Sequence, residues 1–173
     1  MDASTDSIRV VGESDLLELC RTARSTWKHW CTQGLVQPSD DGLYHERDVI
    51  EAVVVALLVD AVDLRRAKGA WSDAGKATLD RCQGLSLREP ATLFLVVDLH
   101  TWEMGLADGA EELAAAVAES LTTPRGFVVM EAARVVVQAR RAFWVRAAPA
   151  VELQKDGRRR RSPSEVVRSP KRR

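Results

Sequence analysis

The sequence predicts an α+β fold: a mostly helical N-terminal third with a short β wing, then a small α/β unit, then a disordered basic tail. Three observations carry this. Apolar residues recur at i, i+3, i+4 through residues 13–60, the spacing of amphipathic helices. Runs rich in Val, Leu and Phe alternate with turn residues across 91–130, the mark of strands. The charge is split: residues 155–173, "KDGRRRRSPSEVVRSPKRR", hold nine Lys/Arg against two Asp/Glu, a net of +7. The formal total is zero, so the rest of the chain carries −7. An acidic body thus bears a basic arm too charged and too Pro/Ser-rich to pack. The 173 residues, 46% hydrophobic, suit one ordinary domain or two small ones.

The first helix is expected over "DLLELC", with Ser14 as N-cap and Asp15 and Glu18 in the first turn, where negative charge suits the helix dipole. Leu16, Leu19 and Cys20 form its apolar stripe, and it should stop near Thr22. Residues 1–12 read as a polar lead-in. A second helix runs from Arg24 to Gln33, and Gly34 fits the left-handed position past its end. Trp27, Trp30 and Cys31 again fall at i, i+3, i+4 and should face inward, against the first helix and Leu35. Arg24, Ser25, Lys28, His29 and Thr32 are left facing outward. Two short helices around a tight turn, the second with a basic polar face, form the helix-turn-helix pattern, whose second helix enters the DNA major groove.

Next, "VQPSDDGLYH" offers an extended start at Val36-Gln37 and a turn at Ser39, Asp40, Asp41 and Gly42. It returns at Leu43-Tyr44, which reads as a hairpin wing. "HERDVIEAVVVALLVDAV" then starts a third helix, apolar on most faces and expected to be buried. Residues 61–90 are an alanine-rich, charged helical connector broken by Gly69, Gly75, Gly84 and Pro90.

Over residues 8–60 the chain resembles the MerR family of winged helix-turn-helix DNA-binding proteins. The family's recognition helix reads roughly T-I-R-Y-Y-E-x-x-G-L. "TWKHWCTQGL" keeps Thr26, Lys28, Gly34 and Leu35 in step, with Trp30 in an aromatic slot. The wing returns as R-x-Y-x-x-x-D-V in the family, and "GLYHERDV" keeps Tyr44, Asp48 and Val49. Three positions depart: Lys28 replaces an arginine and gives up its bidentate fork, His29 replaces an aromatic, and Gly42 stands at the wing arginine. No long terminal coiled coil with effector cysteines follows, so the family's metal sensing is not carried over. The segment is also similar to small phage excisionases.

The resemblance implies a non-enzymatic, sequence-specific DNA-binding protein, a transcriptional regulator acting as a homodimer on double-stranded DNA. Arg24, Ser25, Thr26, Lys28 and His29 would contact bases and backbone, and Tyr44 and His45 would place the wing. Two rivals stand beside it: an excisionase-like or partition-type architectural DNA-binding protein, and a protein-interaction adaptor on the same scaffold. Residues 1–50 hold five Lys/Arg and nine Asp/Glu. Phosphate contacts supply most non-specific affinity, so this segment should bind DNA weakly alone, with the tail adding attraction.

Residues 91–150 are expected to form a β-β-α-β-α unit. Ala91–Leu99 and Thr101–Leu106 read as paired strands. Asp108 would cap "GAEELAAAVAESL", with Leu113, Ala116, Val117 and Leu121 as its apolar positions and Pro124 and Gly126 ending it. Phe127–Met130 reads as a third strand. "EAARVVVQARRAFW" reads as a helix, with Val135–Val137 keeping a strand in competition.

Catalytic signals are weak. Asp98, His100 and Glu103 lie close together, but at a turn, where polar residues collect anyway. No G-x-S-x-G elbow, P-loop or G-x-G-x-x-G occurs, so no enzyme and no cofactor are expected. Cys20, Cys31 and Cys82 are odd in number and lack a C-x-x-C pair, which favours free thiols over a metal site. Trp71, Trp102 and Trp144 read as packing or interface anchors. No run of about 18 apolar residues is present. The start "MDASTDSIRV" lacks a basic, apolar leader, so a cytoplasmic protein without membrane contact is expected.

Overall fold

A computed structural model describes residues 8–71, 75, 80, 92–101, 103–121, 126–150 and 153. The proposed basic tail, Cys82, Trp102 and most of the connector after Trp71 lie outside the described residues. Helices and strands mix as an α+β class requires.

The polar lead-in of the sequence reading gives way to a strand, β1 (Arg9–Gly12), whose Val10 and Val11 are fully buried. It runs into α1 (Glu13–Leu19) with Gly12, not Ser14, at the cap. A tight turn follows, with Arg21 at φ 51°. Next comes α2, which spans Arg24–Gln33 as its apolar spacing requires. Gly34 closes it at φ 74°, and its N–H bonds back to the Cys31 carbonyl at 3.0 Å. β2 (Leu43–Tyr44) pairs antiparallel with β1, Tyr44 opposite Val11 and Leu43 opposite Gly12. The expected hairpin partner, Val36-Gln37, is not a strand. Val36 is buried in the core, and the edge of β1 takes the ladder bonds instead.

α3 (Glu46–Val62) begins with the His45 N–H donating to the Asp48 carboxylate at 2.8 Å. It buries Val49, Ile50, Ala52, Val54, Val55, Ala56, Leu58 and Val62, so it is a core helix rather than an amphipathic one. α4 (Leu64–Trp71) follows directly, and Gly69 sits inside it rather than breaking it.

The second sheet has the order β4-β3-β5, all antiparallel, from β3 (Leu93–Asp98), β4 (Met104–Asp108) and β5 (Phe127–Met130). β4 starts three residues later than the sequence suggests. The Asp98 carboxylate accepts the N–H groups of His100 (2.6 Å) and Thr101 (3.1 Å), so a polar turn consumes the residues read as strand. α5 (Gly109–Leu121) links β4 to β5. α6 (Ala132–Arg146) is a helix through Val135–Val137. Its buried Ala132, Val136, Ala139 and Phe143 follow the helical stripe, and packing decides against the β-branched preference.

β6 (Ala148–Pro149) returns to pair with the other edge of β1, so the first sheet has the order β2-β1-β6. α6 packs on α3. One hydrophobic core therefore runs from Val11 and Leu16 through α3 to Leu95, Phe143 and Ala147.

Candidate nucleic-acid interface

α2 is oriented by its two indoles. Trp27 and Trp30 are 3% and 4% exposed and meet edge-on, with centroids 6.4 Å apart. Burying an aromatic of 150–250 Å² contributes roughly 4–6 kcal/mol as an upper bound. No surface contact of α2 competes with that, so the opposite face is forced outward. Arg24, Ser25, Thr26, Lys28, His29 and Thr32 are all exposed. Five of the seven residues singled out in the sequence thus share one solvent-facing surface on one helix. Lys28 and His29 form no ion pair with a described residue, and the Thr32 hydroxyl is turned back onto the Lys28 carbonyl at 2.9 Å.

Arg24 is different. Its Nε lies 3.1 Å from Glu13 Oε1 and its Nη2 lies 3.3 Å from Glu13 Oε2, a fork-to-fork pair between the starts of α1 and α2.

Tyr44 does not join that surface. It is 3% exposed, with its ring edge-on to Trp27 at 5.8 Å and 84°. Burial pushes its phenol up, partly offset by hydrogen bonds from the Ser39 backbone and the Trp27 side chain. Its place is beneath the 34–42 loop, holding it to α2. His45 is exposed at the entrance to α3.

The loop itself is locked at its tip. The Asp41 carboxylate accepts the Ser39 hydroxyl at 2.6 Å and the Leu43 N–H at 3.0 Å. The Ser39 bond, then the Leu43 bond, holds the Asp41 carboxyl below its usual range. Gly42 adopts φ 72° to close the turn, which suits the residue standing where an arginine was expected.

α4 lies within the stretch expected to be a helical connector, but its basic side chains were not among the expected site residues. Arg65, Arg66 and Lys68 are exposed on it, and Lys68 Nζ reaches Gln33 Oε1 at the C-terminal end of α2, at 3.4 Å. The cluster "LRRAKG" was the signal, hidden by treating the whole stretch as a connector. A cationic helix beside the C-terminal end of α2 adds positive charge to an otherwise acidic segment.

The described residues of the turn after β3 are tied to one another. Asp98 is engaged by backbone N–H groups, and Thr101 Oγ lies 3.4 Å from Glu103 Oε2. Among the described residues no group of His, Cys, Asp and Glu is placed to hold a metal ion, and no helix is long and apolar enough to cross a membrane. Cys20 and Cys31 are free thiols.

No protein-family model matches this chain, and no curated protein matches it.

Proposed function

We propose that this protein is a sequence-specific DNA-binding protein of winged helix-turn-helix, MerR-like type, a transcriptional regulator without enzymatic activity. The observation that carries the reading is the exposed face of α2. Arg24, Ser25, Thr26, Lys28 and His29 stand on one side of a helix whose other side is anchored by two buried indoles. Short polar and basic side chains on the first two turns of the second helix are what major-groove readout takes. The 34–42 loop, with Tyr44 beneath it, serves as the wing. Arg65, Arg66 and Lys68 on α4 supply phosphate attraction that residues 1–50 lack. The protein acts as a homodimer, because one such module reads too few base pairs for useful selectivity.

A second reading, a protein-interaction adaptor, is favoured by one feature. A groove of about 710 Å³ lies between α1, α3 and α6, lined by Leu19, Val53, Leu57, Val135 and Ala142 among others. An architectural DNA-binding role remains within the primary class and differs in footprint: a regulator protects one palindrome, whereas an architectural protein spreads.

The test is selection from a pool of genomic fragments at near-physiological salt, with residues 1–173 and 1–154 in parallel. The regulator reading expects both to enrich one motif. Binding by the full chain alone, with no motif enriched, would assign the attraction to the tail and remove the regulator reading.

A further inference from the structure

The Arg24–Glu13 pair carries an inference that rests on the DNA-binding reading. We propose that Glu13 sets the selectivity of DNA engagement by occupying the guanidinium fork of Arg24 until a better-matched acceptor displaces it. Both nitrogens that face Glu13 are engaged, at 3.1 and 3.3 Å. That fork is the same element that would grip a phosphate or the O6/N7 edge of guanine. The pair is reachable, since the Arg24 side chain is 62% and the Glu13 side chain 31% exposed. Nothing comparable restrains Lys28 among the described residues.

The consequence is a competition. On DNA of arbitrary sequence, a phosphate near α2 must displace a carboxylate that already satisfies the fork. Arg24 then stays on the protein and releases no counterion. At a matched site a guanine edge offers two acceptors at fixed spacing in a partly dehydrated groove, and Arg24 transfers. Glu13 therefore lowers background binding more than matched binding. Exposed ion pairs contribute little, so the effect is modest in size and specific in form.

The experiment uses the full chain and a duplex of about 25 base pairs of arbitrary sequence, long enough for the phosphate contacts that dominate such binding. Fluorescence anisotropy is followed across a salt series. Glu13→Gln is expected to tighten binding roughly two- to fivefold. The same change should steepen the salt dependence by about 0.9, one additional phosphate contact. In an Arg24→Gln background, Glu13→Gln should change neither quantity. Glu111→Gln, an exposed carboxylate on α5, controls for net charge alone.

An equal gain in the Arg24→Gln background, or from Glu111→Gln, overturns the inference and leaves only general electrostatics. A wild-type chain that binds duplex with a salt slope unmoved by Glu13→Gln also overturns it and spares the DNA-binding reading. A wild-type chain with no affinity for any duplex removes both.

Discussion

The rings of Trp27 and Tyr44 meet edge-on at 5.8 Å, joining the helix that carries the basic face to the strand that ends the 34–42 loop. Tyr44→Ala should destabilise the protein by about 3–5 kcal/mol, the range for deleting a buried aromatic. Tyr44→Phe keeps the ring and loses only the hydroxyl contacts, about 1 kcal/mol. Urea unfolding of the two variants checks the ratio. A near-equal loss would mean that the ring contact contributes little.

Lys28, on the exposed face of α2, forms no ion pair with a described residue. If that face meets DNA, Lys28→Ala weakens binding and lowers the salt slope by about 0.9, the share of one phosphate. Titration of wild type and variant against one duplex over several salt concentrations measures both. An adaptor that uses another surface would lose neither partner binding nor stability.

Glu46 ties the start of α3 to α6. It pairs with Arg140, whose side chain is only 12% exposed, and accepts the indole N–H of Trp144 at 3.2 Å. Glu46→Gln weakens a charge-assisted bond to a largely buried guanidinium, and a loss of about 1.5–3 kcal/mol in chemical denaturation is expected.

The Glu18 carboxyl lies below the usual range because Arg146 donates a hydrogen bond to it at 2.8 Å and adds its charge. A carboxyl depressed on folding stabilises the fold above its unfolded pKa, and that contribution fades as pH falls through the folded value. Arg146→Gln should therefore be less stable than wild type near neutrality. The difference should shrink on acidification through the glutamate range, as read from thermal unfolding across pH. Arg146 also lies 4.0 Å from Asp15, so part of the response belongs to that second carboxylate.

Burial pushes the Cys20 thiol up to about 12. At pH 8 it holds almost no thiolate, so an alkylating reagent should leave it unmodified in the folded protein and label it on unfolding. Cys31 is half-buried and also raised, first by burial. It should react before Cys20, at a rate below that of a free thiol. Mass mapping of the labelled peptides distinguishes the two.

Local features were legible in the sequence, and long-range ones were not. The bounds of α2 followed from the spacing of Trp27, Trp30 and Cys31 and from Gly34, because both signals act within one helix. Phe127–Met130 and the helix after Asp108 were legible for the same reason. β1 was not, since "RVVG" is too short to declare itself and its value appears only when β2 and β6 flank it. β6 is two residues ending in Pro149, which suits an edge but signals nothing alone. In the candidate site the exposed face of α2 was readable from periodicity. The Arg24–Glu13 contact and the approach of Lys68 to Gln33 depend on how helices pack, which periodicity does not encode.

The pairing of Ala148–Pro149 with Arg9–Val10 also has a consequence in time. The Arg9 guanidinium donates to the Ala147 carbonyl, a partner 138 positions later in the chain. At ribosomal speeds of about 5–20 residues per second, the closing strand emerges roughly 7–28 s after the strand it completes. Throughout that interval β1 has one neighbour instead of two, and α1 lacks the grip of Arg146. The helix pair is thus synthesised well before the strand that completes its support, so a nascent chain carries its basic face before it can hold it still.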